Sequence, residues 1–556
     1  MAYRDGDLRD IRLGGIEVVR RIYVVFQDLN WTARPWTILD QQVRQTDDAF
    51  EIELTARGTF DAAPFTWTGR ITGTPDGTIR YAIDGTADEA FVRNRLGMCV
   101  LHPADLAGRA ATLERIDGTL AETAFPDDID PDQPFVDMRA LAHEVAPGLL
   151  ATVRMSGETF ESEDHRNWSD ASFKHYCTPI TLPFPVTVQP GERIAQAVEI
   201  ILSGSVPEAG ALDGPLRIHI SDETASMPAL GIQLDHDGHA LTSTEIERLA
   251  VLRLAHVRVD LTSDEPIERL EAALQDADAI GALLVPAITI TGDISHLAPF
   301  RDDARISHWL VFDQDAKVTG PELLEHARGV LGDRIGGGTN LYFTELNRGR
   351  PTGPERIAFS LNPQVHAADD QSVMQNAATQ GTIARNARRL YPDAFLEISP
   401  ITLRPRFNPN ATRPDLDVSN TPLPSRVDVR QCETFAAAWT VLSLKAIAES
   451  GCIDAVTYFE ATGWEGVMER AEGSPQPADF PSTPGSPYRV YDVFAAVAGA
   501  TRVTRAVSTH PDLVDALVVD DIVVIANASP VPQTVEIGSR TVTLDPYGIV
   551  TIEREA

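Results

Sequence analysis

The chain has 556 residues, 43% of them apolar, and its 81 acidic against 47 basic side chains leave a formal net charge of −34. A chain of this length outgrows one hydrophobic core, so two or three domains are expected. The negative charge repels phosphate backbones and anionic lipid surfaces, which excludes nucleic acid and membrane as expected partners.

The start, MAYRDGDLRDIRLGG, has no apolar h-region, and no apolar run approaches the roughly 20 residues of a membrane span, so a cytoplasmic location is expected. From there to about residue 205, segments such as IYVVFQDLNW, FEIELTARGTF, FTWTGRITGTPDGTIRYAIDGTA, LLATVRMSGETFES and ERIAQAVEIIL alternate apolar with polar residues between PDG and DG turns. This pattern predicts antiparallel strands and a large N-terminal β-sandwich over residues 1–215, with one short helix at MRALAHEVAP. Near its end ESEDHRNWSDASFKHYC, from Glu161 to Cys177, crowds Glu163, Asp164, His165, Arg166, Asn167, Trp168, Asp170, Lys174 and Tyr176 together. A loop turned toward another domain is expected there. Composition leaves open whether it lines a pocket or ties two domains by salt bridges.

Over residues 216–500 the period changes. Eight strand candidates, LGIQLD, HVRVDL, ALLVPAITI, HWLVF, LYFTELN, RIAFSLNPQVH, FLEISPITL and AVTYFEATG, alternate with helical stretches such as STEIERLAVLRLA, PIERLEAALQDADAI, GPELLEHARGVLG and QSVMQNAATQGTIARNARRLY. That alternation predicts a (β/α)8 TIM barrel. Residues 501–556 return to strands (VVDDIVVIANAS, QTVEIG, RTVTLDPYGIVTIE) and predict a small C-terminal β domain. The cysteines Cys99, Cys177, Cys432 and Cys452 lack CxxC or zinc-ligand spacing and read as reduced, packed thiols.

Barrel enzymes carry their chemistry at the C-terminal ends of the strands. Glu345 and Asn347 sit at the C-terminal end of the fifth candidate, Glu460 at the end of the eighth, and two carboxyls three strands apart face each other across a barrel mouth. Paired carboxyls whose environments push their pKa values apart supply acid and base. Asn362 and His366 end the strand after Glu345, and Arg404, Arg406 and Asn408 open a proline-rich loop reaching to about Pro424, where arginine suits a carboxylate or an oxyanion. Trp464 fits a sugar-stacking wall or core packing equally well. Asp235, His236 and His239 in LDHDGHA form an alternative metal set, with a turn before a helix as the plainer reading. No metal and no cofactor is expected, and neither GxSxG nor HExxH occurs.

The blocks EDHRNWSDASFKHYCTPITLPFPV, NRLGMCVLHPADLAG, YFTELNRGRP, SLNPQVHAADDQS, ITLRPRFNPNAT and YFEATGWEGVM resemble the D-apionate lactonase family along essentially the whole chain. The resemblance implies an N-terminal β domain, a TIM barrel, a C-terminal β domain and the opening of D-apionolactone to D-apionate in D-apiose catabolism. It implies no assignment of catalytic residues. The barrel is also similar to clan A retaining glycoside hydrolases, which gives the alternative of glycoside hydrolysis with Glu345 as acid/base and Glu460 as nucleophile. This sequence departs from that clan in having Thr344 before Glu345, and in its fifth and eighth strands where the clan uses the fourth and seventh. The expected reaction is ester hydrolysis of a small sugar lactone, with catalytic Glu345 and Glu460. The expected substrate-binding residues are Asn347, Asn362, His366, Arg404, Arg406, Trp464, Arg166, Trp168, Lys174 and Tyr176. The sequence leaves the oligomeric state, a homo-oligomer included, open.

Overall fold

The computed structural model describes residues 1–555 apart from 14, 61–62, 205–213 and 408–421. The chain divides into two compact units, the first holding the N-terminal sheets and the second holding Asn167–Asp170, a barrel and the C-terminal strands.

In the first unit a six-stranded and a nine-stranded antiparallel sheet share one apolar core that includes Trp67, Ile71, Tyr81, Met98, Leu141 and Phe173. The strand Ala63–Gly73 shows why the alternation is legible: Phe65, Trp67 and Ile71 point inward between polar neighbours. Two expectations change here. MRALAHEVAP is a strand, Met138–Ala146, paired on one side with Ala110–Arg115 and on the other with Leu149–Ser156. Its Ala, Leu and Glu favour a helix, but the hairpin turn at Gly148, whose N–H donates to Glu144 at 2.8 Å, holds it in the sheet. The Glu161–Cys177 segment is a hairpin of Glu161–Asp164 and Ser172–Tyr176 around a short 3-10 turn at His165–Trp168. The polar groups of its two strands are compatible with a sheet because they find partners there, as in Tyr176 Oη donating to Glu161 at 2.6 Å.

The second unit is organised by a closed barrel of eight parallel strands. In chain order these are β1 (Ala229–Gln233), β2 (His256–Thr262), β3 (Leu283–Ile290), β4 (Trp309–Asp313), β5 (Ile335–Tyr342), β6 (Arg356–Leu361), β7 (Phe395–Ile401) and β8 (Ala455–Glu460). All eight are the anticipated ones, with one shift. LYFTELN was expected to be β5; the strand instead begins at Ile335 and ends at Tyr342, and Phe343–Gly349 is a short helix carrying Glu345 and Asn347. Glycine is disfavoured in strands, so IGGG does not read as one. The wall requires it: Gly338 has φ +118°, and a Cβ there would meet the Ala358 carbonyl oxygen of β6 at 2.2 Å.

Local signals set the connecting helices. Thr242 and Glu245 form a reciprocal capping box before Ser243–Val251, and Gly281 at φ +84° closes Ile267–Ile280. The stretch from Gln371 to Tyr391, read as one helix, is two, Asp370–Asn376 and Thr379–Leu390. Helix Thr434–Glu449 is buried on almost every face and so carries no amphipathic period to read. It packs against Val514–Val519 and Ile522–Asn527 of a seven-stranded sheet. That sheet also contains Leu216–Ser226, hydrogen-bonded to Arg502–Ser508, so the segment expected to open the barrel at 216 begins with a strand of the other sheet. No helix among the described residues is long and apolar enough to cross a membrane.

Candidate active site

At the C-terminal end of β8 the backbone kinks. Phe459 sits at φ +47°, and the pairing to β1 skips it, matching Tyr458 to Ile232 and Glu460 to Gln233. A bulge re-aims the next side chain, and a bulky residue in the left-handed region is a strain that proteins keep where geometry matters. Here it turns Glu460 onto the loop after β1. The Glu460 carboxylate stands 2.9 and 3.1 Å from His236 Nδ1 and accepts from the His236 N–H at 3.2 Å and, more weakly, from Gln233 Nε2 at 3.4 Å.

Beneath it lies Asp235, fully buried, accepting from the Thr462 N–H at 2.8 Å and from the Thr462 hydroxyl, and ion-paired to Arg470 at 3.0 Å. Burial pushes the Glu460 carboxyl up to about 8, the charge of Asp235 adds to the push, and Arg426 and the His236 amide oppose it. Glu465, five residues on, is pushed to about 7 by burial and then by Glu460, against Arg426, His236 and Arg406. Burial, with Arg426 beside it, lowers His236, so its imidazole is neutral at pH 7.

His236, Glu460 and Glu465 bring ligand atoms within 4.8 Å of one another, a set able to hold a cation. The guanidinium of Arg426 supplies that charge, with Nε 2.9 Å from Glu465 and Nη2 donating to the His236 ring. The alternative set Asp235, His236 and His239 does not converge, because Thr462 and Arg470 take Asp235 and His239 stands 3.4 Å from Glu245.

Glu460 and Glu465 bring carboxylate oxygens within 4.8 Å of one another, and the leading charges on Glu345 are those of Lys317 and Arg348. Glu345 is buried, its Oε1 lies 3.5 Å from Lys317 Nζ, and its Oε2 has no hydrogen-bond partner. Burial raises its carboxyl, with Lys317 opposing. Arg406 is held by Asp260 at 2.8 Å and by the carbonyl and side-chain oxygens of Asn340 at 2.9 and 2.6 Å. The fully buried Arg258 ties the same Asp260 and Asn340 together from inside the barrel.

The other expected residues divide. Asn347 donates to Asn167 at 3.0 Å, and His366 Nδ1 stands 2.7 Å from Asp170, with its ring edge-on to Trp168 at 5.3 Å. The Arg348 guanidinium carbon lies 5.2 Å over that indole ring, and the Ser169 hydroxyl donates to the Asn362 carbonyl at 2.6 Å. Arg404 is a loop anchor on Asp428, which also holds Arg430 and Gln364. Trp464 donates to Ser474 at 2.9 Å and packs near Phe480, which makes it part of the loop's own core and not an open stacking wall. Asn408 lies outside the described residues.

Arg166, Lys174 and Tyr176 belong to the first unit. All three Arg166 guanidinium nitrogens are taken, by Asp164 at 2.9 and 2.7 Å and by the carbonyls of Pro126, Asp127 and Asp128, so it offers nothing to a substrate. Lys174 lies 3.9 Å from Glu163 and 5.1 Å over the Tyr176 ring. Sequence reasoning missed Glu465 and Arg426. Glu465 sits in the same YFEATGWEGVM block as Glu460, where a second acid beside a strand-end acid was the available signal; Arg426 carried none.

Family models described as the N-terminal, TIM barrel and C-terminal immunoglobulin-like domains of D-apionate lactonase match residues 1–205, 230–502 and 511–552. A D-apionate lactonase from Brucella anthropi is 30% identical over 589 residues, spanning 99% of this chain and 95% of that one. Among solved structures, a GH30 endoxylanase from Clostridium papyrosolvens aligns at 9% identity and TM-score 0.41 over 62% of this chain and all of its own. A family 39 glycoside hydrolase from Bacteroides cellulosilyticus aligns at 10% and 0.36 over 80% and 92%. Three consecutive domain matches and a full-length relative place this chain in the D-apionate lactonase family, as an enzyme of the ester-hydrolase class.

Proposed function

We propose that the chain hydrolyses a small sugar lactone, D-apionolactone to D-apionate, in D-apiose catabolism, at the mouth of the barrel around Glu460. The observation that carries the chemistry is the pair of carboxyls formed by the buried Glu460 and the partly exposed Glu465, raised to about 8 and about 7 within reach of one another and of one arginine. Near neutral pH such a pair shares a proton, and its two members take opposite roles. Glu465, bridged to Arg426 and so the more readily ionised, draws a proton from the water that attacks the lactone carbonyl. Glu460, kept protonated by burial above Asp235, donates to the ring oxygen as the C–O bond breaks. Arg426 and Arg406 lie where negative charge builds on the carbonyl oxygen, the term usually largest in acyl transfer. This moves the partner expected for Glu460 from Glu345 to Glu465.

The test is proton release from D-apionolactone by wild type, Glu460→Gln and Glu465→Gln, beside a panel of aryl glycosides. Lactone opening lost in both variants supports the reading. Glycoside cleavage without lactone opening replaces it with the glycosidase, and unchanged lactone turnover in Glu460→Gln removes this site from the reaction.

A further inference from the structure

The first unit contains a buried cation that its own protein groups leave incomplete. Arg95 opens the strand Arg95–Pro103 and is 2% exposed. Its Nη1 donates to the Asn94 carbonyl at 2.8 Å, while Nε and Nη2 have no hydrogen-bond partner. Those two nitrogens form one edge of the guanidinium, the fork whose spacing matches the two oxygens of a carboxylate. Leaving two charged N–H groups buried and unpaired is costly, and folded proteins rarely do so without a reason.

The acids whose charges act most on it, Glu161 and Glu163, are committed elsewhere. Glu161 accepts from the Tyr176 hydroxyl and the Ile180 N–H, and Glu163 pairs with Lys174 and His165. Burial pushes Arg95 below the ordinary arginine value in spite of Glu161, Glu163 and Tyr176 nearby, the mark of a cation short of anionic partners.

The guanidinium sits at an aromatic corner. Its carbon lies 5.0 Å from the Trp31 ring and 5.2 Å from Phe184, and the two rings meet edge to face at 5.0 Å. The corner reaches the surface, since Phe184 is 44% exposed and its neighbours Leu182 and Ile180 are 45% and 36% exposed. A fork for a carboxylate beside two aromatic faces is the chemistry that recognises a sugar acid: the charge anchors one end and the rings cover the C–H face of the polyol chain.

We propose that Arg95, Trp31 and Phe184 form a binding site for a small sugar acid, the carboxylate seated on the Arg95 Nε/Nη2 edge. The choice of ligand rests on the lactone-hydrolysis reading, because that reaction releases an aldonate and a proton from a neutral lactone.

The test is calorimetric titration of the full-length protein with the aldonate made by alkaline opening of D-apionolactone, in wild type, Arg95→Lys, Phe184→Ala and Glu460→Gln. Arg95→Lys keeps the charge and removes the fork, and should weaken binding by roughly tenfold or more. Phe184→Ala alters an exposed side chain that does not threaten folding, and should weaken the same binding by about threefold. The site is the component that Arg95→Lys weakens and Glu460→Gln retains. No such component in wild type, or equal affinity in Phe184→Ala and Arg95→Lys compared with wild type, overturns the proposal. Absence of D-apionolactone turnover in wild type would sink the hydrolysis reading and leave the binding comparison standing.

Discussion

Two acid clusters in the second unit are built from the same materials and behave in opposite ways. Asp428 accepts from Gln364 at 2.7 Å, from Arg404 at 3.3 Å, and from the Arg430 side chain at 2.9 and 2.7 Å and backbone at 3.0 Å. Despite its burial, those donors, Arg430 foremost, hold its carboxyl far below the usual carboxylate range. Glu460 is buried as well, but its hydrogen-bond donors are a neutral histidine and one distant amide, with a second carboxylate beneath and a third alongside, and it rises to about 8. Burial is common to both; the count of cationic donors decides the sign. A saturated carboxylate anchors a loop, and a starved one is available for proton transfer.

The contrast is sharpened by substitution. Glu460→Gln should lower kcat for lactone opening by about a thousandfold, measured by proton release. Because the change removes a raised carboxyl and not an ion pair, the variant should remain folded.

The same residue sets a stability slope. Its carboxyl holds a proton in the folded protein from its ordinary 4.5 up to about 8 but not in the unfolded chain. Its contribution is therefore full below pH 4.5 and lost as pH rises through 8. Denaturation followed between pH 5 and 8 should show wild type losing stability with rising pH, and Glu460→Gln losing less. An equal slope in both would mean that Glu460 ionises normally.

Glu465→Gln should cost about a hundredfold in kcat. Wild-type activity should peak between about pH 7 and about pH 8, since Glu465 must be ionised and Glu460 protonated. Arg426→Gln removes the cation that holds Glu465 down, so the acid limb of that profile should move to higher pH; a profile that falls but does not shift would assign Arg426 to binding alone. The smallest effect is expected at the saturated cluster. Arg404→Gln leaves Asp428 on Arg430 and Gln364 and should cost only about 0.5 kcal/mol of stability, with kcat unchanged. A large loss of kcat there would erase the distinction between the two clusters.

The sequence by itself determined the architecture. Strand alternation up to residue 205, eight apolar runs separated by capped helices, and a return to alternation after 501 are local signals, and local signals survive because each element must bury its own face. It also placed Glu460 at the C-terminal end of a barrel strand, where barrel folds carry polar groups.

What it lacked was whatever depends on residues distant along the chain. The start of β5 was hidden because the need for glycine at Gly338 comes from the Ala358 carbonyl on the next strand. Helix Thr434–Glu449 was hidden because it is covered on almost every face and so shows no amphipathic period. Arg404 and Arg426 are indistinguishable as letters, yet one meets Asp428, which Arg430 and Gln364 also saturate, and the other faces Glu465 and His236. Whether a charge is spent on a loop or kept for a substrate is a property of its whole surroundings, and only the tertiary structure brings those surroundings together.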